Sequence, residues 1–370
     1  MKLRLLVCLL LLTACGQATP AGKPAAGDRI YVVDRGQSLA GVDVATGKVA
    51  VQMPLAVPTP DWKRAYGVIG NRLHYLDMAT ATDLGGVELP GPYQLPMTTA
   101  DGRPGGLSHN GHWLILTKGS SFLEIELPDG QVRHRIDLPG RWDFDGIDDS
   151  GLRLYLTHYL DDEGRNYNVS LFHLDSGQVE GPIVEKGSEE PSVMQGRRLS
   201  ALTDRWGTWQ YSVYSRPSGA FIHMLSLRDP FTWCLDLPGG GTLDQQAAWS
   251  LAVSPSGHTL FAVNPVLDKA VAYSITSESP TGPPSKQASG SWSGSGPSGT
   301  GAASMVRAGR VLVAEARGVH LLGLAASSDG REIYAVAGDR LLRLDAATGK
   351  LESSLALTID PSAILGVRAV

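Results

Sequence analysis

Asp145 stands in the run FDGIDDSGLRLYL (144–156), where an acidic residue and a glycine open an alternating apolar stretch. A carboxylate in that position could hold a divalent cation at the start of a strand. Calcium takes six to eight oxygen ligands, so Asp145 would need several partners from other strands, and no Glu or Asn stands at a matching strand start. DFDGIDD (143–149) also departs from a helix–loop–helix calcium loop, because its glycine falls too early and no Glu closes it. The plainer role for Asp145 is to cap a turn. His109 and His112 in SHNGH are three residues apart across a tight turn and would need a third ligand to hold zinc; they read as surface histidines. No G-x-S-x-G nucleophile elbow is present. The stretch DRWGTWQYSVY (204–214) concentrates Trp206, Trp209, Tyr211 and Tyr214. Trp209, Tyr211 and Val213 share one strand face and should pack between elements, since strand side chains alternate. That leaves Trp206 and Tyr214 as candidates for an exposed surface stacking on a sugar ring or a peptide.

Composition narrows the functions that such residues can serve. The hydrophobic fraction of 42% suits a folded globular chain, and the 44 glycines suit one with many turns. The net charge is −5, with no block of Lys and Arg, so nothing here draws the chain to nucleic acid.

The N-terminus carries the most specific chemistry. MKLRLLVCLLLLTAC opens with Lys2 and Arg4, continues through an apolar run from Leu5 to Leu12, and ends at Cys15. A charged start and a short apolar run read as a secretory signal over residues 1–14, and Leu12-Thr13-Ala14-Cys15 resembles the lipobox of bacterial lipoproteins. That resemblance implies cleavage before Cys15, a diacylglycerol on its thiol and an acylated amine, and two or more acyl chains anchor stably. Gly16 stands where an Asp would resemble an inner-membrane retention signal. Residues 15–27 then form the lipidated cysteine and a small, Pro/Gly-rich tether reaching about 20 Å by coil statistics. The expected location is the cell envelope, membrane-anchored and facing the periplasm or exterior. Of the three cysteines, Cys8 leaves with the signal, Cys15 is lipidated and only Cys234 remains, so no internal disulfide can form. Cys234, in the apolar stretch FTWCLDL (231–237), reads as a buried small hydrophobe.

The elements that must position any site come from a repeat. SHNGHWLILT, DDSGLRLYLT, SPSGHTLFAV and SSDGREIYAV each place polar residues and a glycine (Gly111, Gly151, Gly257, Gly330) before an alternating run. Glycine supplies the positive φ of a tight hairpin, and the run after it is a strand. A second turn follows: around Gly130, Gly177 and, in LDAATGK, Gly349. Nearly the same words, VDVATGK, occur around Gly47. Each unit thus reads as four antiparallel strands, the blade of a β-propeller. Second turns average about 50 residues apart, so seven blades fill residues 28–370. The second blade is the least regular. The first lacks an innermost strand, and ILGVRAV at the C-terminus matches LLGLAAS (321–327), so residues 364–370 should supply it and close the ring. One insertion, 277–302, holds 8 Ser, 6 Gly and 4 Pro and reads as a disordered loop within the sixth blade, with strand patterning resuming at RVLVAEA (310–316). Trp292, its large apolar residue, is a further candidate partner contact.

On these motifs the chain resembles YVTN-type and quinoprotein-like seven-bladed propellers over most of residues 28–370. LDAATGKL also resembles the repeat of pyrroloquinoline-quinone enzymes and of the outer-membrane assembly lipoprotein B. Those families put a Trp after the Gly-Lys pair, where this chain has Val51 and Ser353, and the catalytic members often carry a vicinal disulfide, which one cysteine cannot make. No cofactor is therefore expected. FDGIDD resembles the Asp-Gly stretch of gluconolactonase-type propellers, which would make Asp145 a metal ligand. The reading that fits most of the sequence is a lipid-anchored, non-catalytic binding or scaffold protein with a protein, peptide or glycan partner. A propeller lactonase with a channel metal, or an outer-membrane assembly scaffold, is the alternative.

Overall fold

A computed structural model describes residues 27–35, 37–99, 102–185, 193–204, 206–253, 257–274, 286–287 and 309–369. Seven antiparallel sheets follow one another along the chain. Their turns form as the glycines require: Gly111, Gly151, Gly257 and Gly330 all have φ between 69° and 78°. The duplicated heptad builds the same turn twice. Asp43 accepts from the Thr46 and Gly47 amides through its side chain and its carbonyl, and Asp345 does the same for Thr348 and Gly349. The two copies lie in neighbouring blades, because a Cβ on Gly47 would sit 2.7 Å from the Ala356 carbonyl oxygen.

The first sheet joins the two ends of the chain. Its innermost strand, Pro361–Ala369, pairs antiparallel with Asp28–Asp34, which pairs in turn with Ser38–Asp43 and Val49–Pro54. The ring thus closes as a seven-bladed β-propeller with no unpaired inner edge between first and last blades. Closure is reinforced by the buried Asp28 carboxylate, which accepts from the Ser328 amide at 3.1 Å and the Tyr334 hydroxyl at 3.1 Å in the last blade.

Burial follows the seams between blades. Each of the seven seams has its own cluster of buried apolar side chains, from Tyr31, Leu39, Ala65 and Leu76 between blades one and two to Ile30, Val42, Tyr334 and Leu341 between seven and one. Trp209, Tyr211 and Val213 do share the face that packs on blade six, against Trp249, Leu251 and Leu260.

Four expectations need correction. The second blade has all four strands, although its innermost, Ala56–Pro58, is short. The third blade is the incomplete one, with three regular strands from Trp113–Lys118 outward. Residues 309–315 are helical, not extended, and bury Leu312, Val313 and Ala316 between blades six and seven. Cys234 is exposed, because Phe231–Asp236 lies toward the outside of blade five and its outward face is not covered by another blade. Within 277–302, Lys286–Gln287 pairs as a short outermost strand of blade six. The rest of that insertion, with Trp292, lies outside the described residues, as does Cys15. No described helix is long and apolar enough to cross a membrane.

Candidate functional site

The innermost strands surround a central channel. They run toward the face that carries the Gly111, Gly151 and Gly330 turns, and both Asp28 and Ala369 lie at that face, so both chain ends leave there. Where the third blade lacks an innermost strand, two short contacts replace it. Gln94 pairs with Thr117, and Leu107 pairs with Leu114. The residues between them leave the sheet as a hairpin, closed by Met97 opposite Pro104, the Thr98 amide donating to the Arg103 carbonyl (2.8 Å) and the Gly105 amide to the Pro96 carbonyl (2.9 Å). The sequence TTADGRPGGL (98–107) encodes it. Gly106 has φ 98°, and a Cβ there would lie 2.3 Å from the Ile115 carbonyl oxygen, so only glycine lets the strand leave so close to its neighbour.

This hairpin delivers Arg103 into the channel, where its guanidinium donates to the Leu365 carbonyl of blade one at 3.3 Å. Arg103 borders two cavities. The larger, about 230 Å³, is bounded by residues in the first halves of the innermost strands of blades five, six, seven and one and just before them, including Arg197, Leu199, Trp249, His320, Leu321 and Ile364. The smaller, about 140 Å³, lies toward the turn face beside His109, Phe144, Arg198 and Gln210. Neither lining includes an Asp or Glu among the described residues, although the chain as a whole carries −5.

Asp145 lies in the wall, not the lumen. It is the extra residue of a bulge in Arg141–Ile147, where the register shifts between Phe144 and Gly146. A bulge re-aims the side chain it carries, and this one turns Asp145 into the seam with blade five. There it is fully buried, accepting from Arg198 Nη1 at 2.9 Å and Gln210 Nε2 at 2.8 Å, while Gln210 also bonds its carbonyl at 2.9 Å. Gly146 follows because a Cβ there would meet Gln210 Oε1 at 3.1 Å and Leu227 at 3.2 Å. The FDG motif is thus a bulge with a buried ion pair, in place of either the turn cap or the cation site expected for it. Among the described residues no three of His, Cys, Asp and Glu group closely enough to hold a metal ion.

Tyr214, expected at the surface, is buried in the same seam, stacked on Tyr167 (5.2 Å between centroids) and edge-on to His223 (5.9 Å). Trp206 is half-buried and tilted against His258 of blade six, 5.7 Å away, so it serves the seam between two turns. His112 is exposed, and His109 sits 3.5 Å from the Asp149 carboxylate in the next turn. Reading the sequence by motif missed Arg103, Arg197 and Arg198. The available signal was a cation between Asp-Gly and Pro-Gly-Gly, a combination that a simple blade turn does not need.

His223 gives the seam a pH signature. Burial pushes its imidazole down to about 4, against the upward pull of Asp145 and with the help of Arg198. A histidine whose folded value lies below its unfolded 6.5 adds stability above pH 6.5 and loses it as pH falls toward 4. We expect wild type to lose about 3 kcal/mol more than His223→Gln between pH 7 and pH 4, read from urea unfolding at several pH values. Parallel pH curves would show that His223 charges freely in the fold.

No model of a known protein family matches the chain, and no curated protein matches it in sequence. Solved structures do. The β-propeller domain of Cps50 (Swd1) from Myceliophteria thermophila aligns with TM-score 0.51 and 10% identity over 83% of this chain and 87% of that one. A functionally unknown protein from Desulfotomaculum acetoxidans aligns with TM-score 0.51 and 12% identity over 92% and 98%. A protein from Bacteroides uniformis, described as a "putative 6-phosphogluconolactonase", aligns with TM-score 0.51 and 14% identity over 93% and 99%. At such identities the likeness is one of fold.

Proposed function

We propose that this chain is a lipid-anchored, extracytoplasmic β-propeller that acts by binding, with the central channel as its ligand site. The observation that carries the reading is the channel itself: a lumen whose described lining offers cations, hydroxyls and apolar walls but no carboxylate for acid–base work or cation binding. Its larger cavity is bounded largely by residues near the starts of the innermost strands, the end of the channel away from Asp28 and Ala369. The lactonase alternative needs Asp145 free to ligate, and Arg198 and Gln210 already hold it.

Two measurements test this. Mass spectrometry of protein purified from membranes should find acyl mass on an N-terminal Cys15, and Cys15→Ala should accumulate as uncleaved precursor. An unmodified mature terminus at another residue would remove the anchor from the reading. A lactone-hydrolysis panel with and without calcium should show no turnover; calcium-dependent turnover abolished by Asp145→Ala would replace binding with catalysis.

A further inference from the structure

We propose that the seam between blades four and five is an acid-operated joint: when His223 takes up a proton, these two blades part on the channel side while the rest of the ring stays folded. The inference goes beyond the binding reading and does not depend on what the channel takes. Three observations support it.

The first is the polar interior of this seam. Ser212 and His223 stand directly opposite each other on neighbouring strands of blade five, on the same face as Tyr214. That face meets blade four, since Tyr214 and Phe221 pack with Tyr155 and Tyr167. Ser212 Oγ, His223 Nε2, Asp145 Oδ2, Arg198 Nε and the Tyr167 hydroxyl are all buried here without a hydrogen-bond partner. An unpaired buried polar atom costs the closed state, and parting the blades returns it to water.

The second is charge. Among the described residues His223 is the one buried histidine. The groups facing it are Asp145 from Arg141–Ile147, Tyr155 and Tyr159 from Arg153–Tyr159, and Tyr167 from Asn166–His173. Its own blade adds Arg198, Tyr214 and, directly opposite on Phe231–Asp236, Cys234. At the edges lie Asp143 beside Tyr159, Glu185 beside Cys234, and the exposed Arg216–Asp236 pair. The phenols and the thiol are uncharged between pH 5 and pH 7, and the buried carboxylate already pairs with Arg198 at 2.9 Å. A proton on His223 therefore sets a second cation beside Arg198 with no second acid inside the seam. Burial pushes the imidazole down to about 4, so the closed seam loses stability as pH falls from 6.5 toward that value.

The third is where the two blades are tied. Gln178–Pro182 pairs with Asn166–His173 as the outer strand of blade four, and just beyond it Val184–Glu185 joins Phe231–Asp236 of blade five in parallel. The chain thus crosses the seam at its outer rim and holds the blades together there. On the inner side Arg198 and Gln210 border the smaller cavity. Water enters from the channel, and the outer crossing serves as the hinge.

The experiment is hydrogen-exchange mass spectrometry of the full-length mature protein in detergent at pH 7 and pH 5, with rates corrected for the intrinsic pH dependence of amide exchange. Test peptides cover Arg153–Tyr159 and Asn166–His173 of blade four with Trp209–Arg216 and Gly219–Ser226 of blade five. Control peptides cover Thr259–Asn264 and Arg340–Asp345, whose seam between blades six and seven buries Phe261, Val263, Leu342 and Leu344. With 6.5 for the open imidazole and about 4 for the closed one, the opening constant of the test seam should rise about 20-fold from pH 7 to pH 5. The control should not move. His223→Gln, shown to be folded by circular dichroism, should abolish the rise. The comparison between seams needs no variant, so it decides even if His223→Gln folds poorly. Three outcomes overturn the proposal: a test seam as flat as the control; an equal rise in both, which marks global unfolding; or a rise that survives in His223→Gln.

Discussion

A chain ending at Asp360 should fail to fold as a ring: expressed without Pro361–Ala369, it should lack a cooperative thermal transition and aggregate. The deleted strand supplies the innermost position of the first blade and all inner-edge pairing of Asp28–Asp34. It also buries Ala363 and Ile364 against blade seven, where Gly323 lies so close that a Cβ on it would sit 2.8 Å from Ile364. One buried aliphatic side chain is worth about 1.5–3 kcal/mol. The deletion would further strip cover from Ile30, Val32 and the half-buried Leu322 and leave a full edge of backbone N–H and C=O groups unpaired. Together these losses reach the ~5–15 kcal/mol that ordinary domains hold in total. Ile364→Ala isolates the packing part and should stay folded at a cost of about 2–4 kcal/mol. A truncated protein melting cooperatively at the wild-type temperature would mean that the first blade stands without its C-terminal strand.

That closure was legible in the sequence because it rests on local chemistry. The Asp–x–x–Thr–Gly turn satisfies its own amides within five residues, so Asp43 and Asp345 announce the same element wherever they occur. What the sequence could not show is where a neighbour lies. In most folds, strand alternation separates a buried from an exposed face, and on that rule Tyr214 should be exposed opposite Trp209, Tyr211 and Val213. A blade is covered on both faces by its neighbours, so Tyr214 is buried against Tyr167 of blade four while the other three pack on blade six. The outer strands are the exception: the apolar run FTWCLDL lies toward the outside of blade five, with only Val184–Glu185 beyond it, and leaves Cys234 exposed. RVLVAEA misled for a related reason: a short, mostly apolar run fits a strand covered on both faces as well as a helix whose Leu312, Val313 and Ala316 share one side, and the seam between blades six and seven takes the helix. Arg103 was illegible because its role depends on a strand that is missing, and a missing strand leaves no periodic signal.

Asp145 is where a motif and its environment pull in opposite directions, and Arg198→Met should expose the difference. The Asp145 carboxylate is fully buried, and the Arg198 side chain is only 13% exposed. Removing the guanidinium would strand a carboxylate in the seam with Gln210 as its one remaining side-chain partner, at a cost of about 3–5 kcal/mol. Asp145→Asn, which strands the cation in a site bordering the smaller cavity, should cost less because water reaches Arg198 from there. The double variant should recover much of the loss, since neither partner is then left charged alone. Urea unfolding of the four proteins gives the coupling, which we expect to exceed about 2 kcal/mol. Single costs below about 1 kcal/mol would instead mark a screened pair of the kind found on surfaces. The same four proteins separate the ion pair from the metal-ligand reading that the Asp-Gly stretch suggests. If Asp145 is held by Arg198, added calcium leaves the wild-type melting temperature unchanged. If it is a cation ligand, calcium stabilises wild type, Asp145→Asn abolishes that gain, and Arg198→Met, by freeing the carboxylate, increases it.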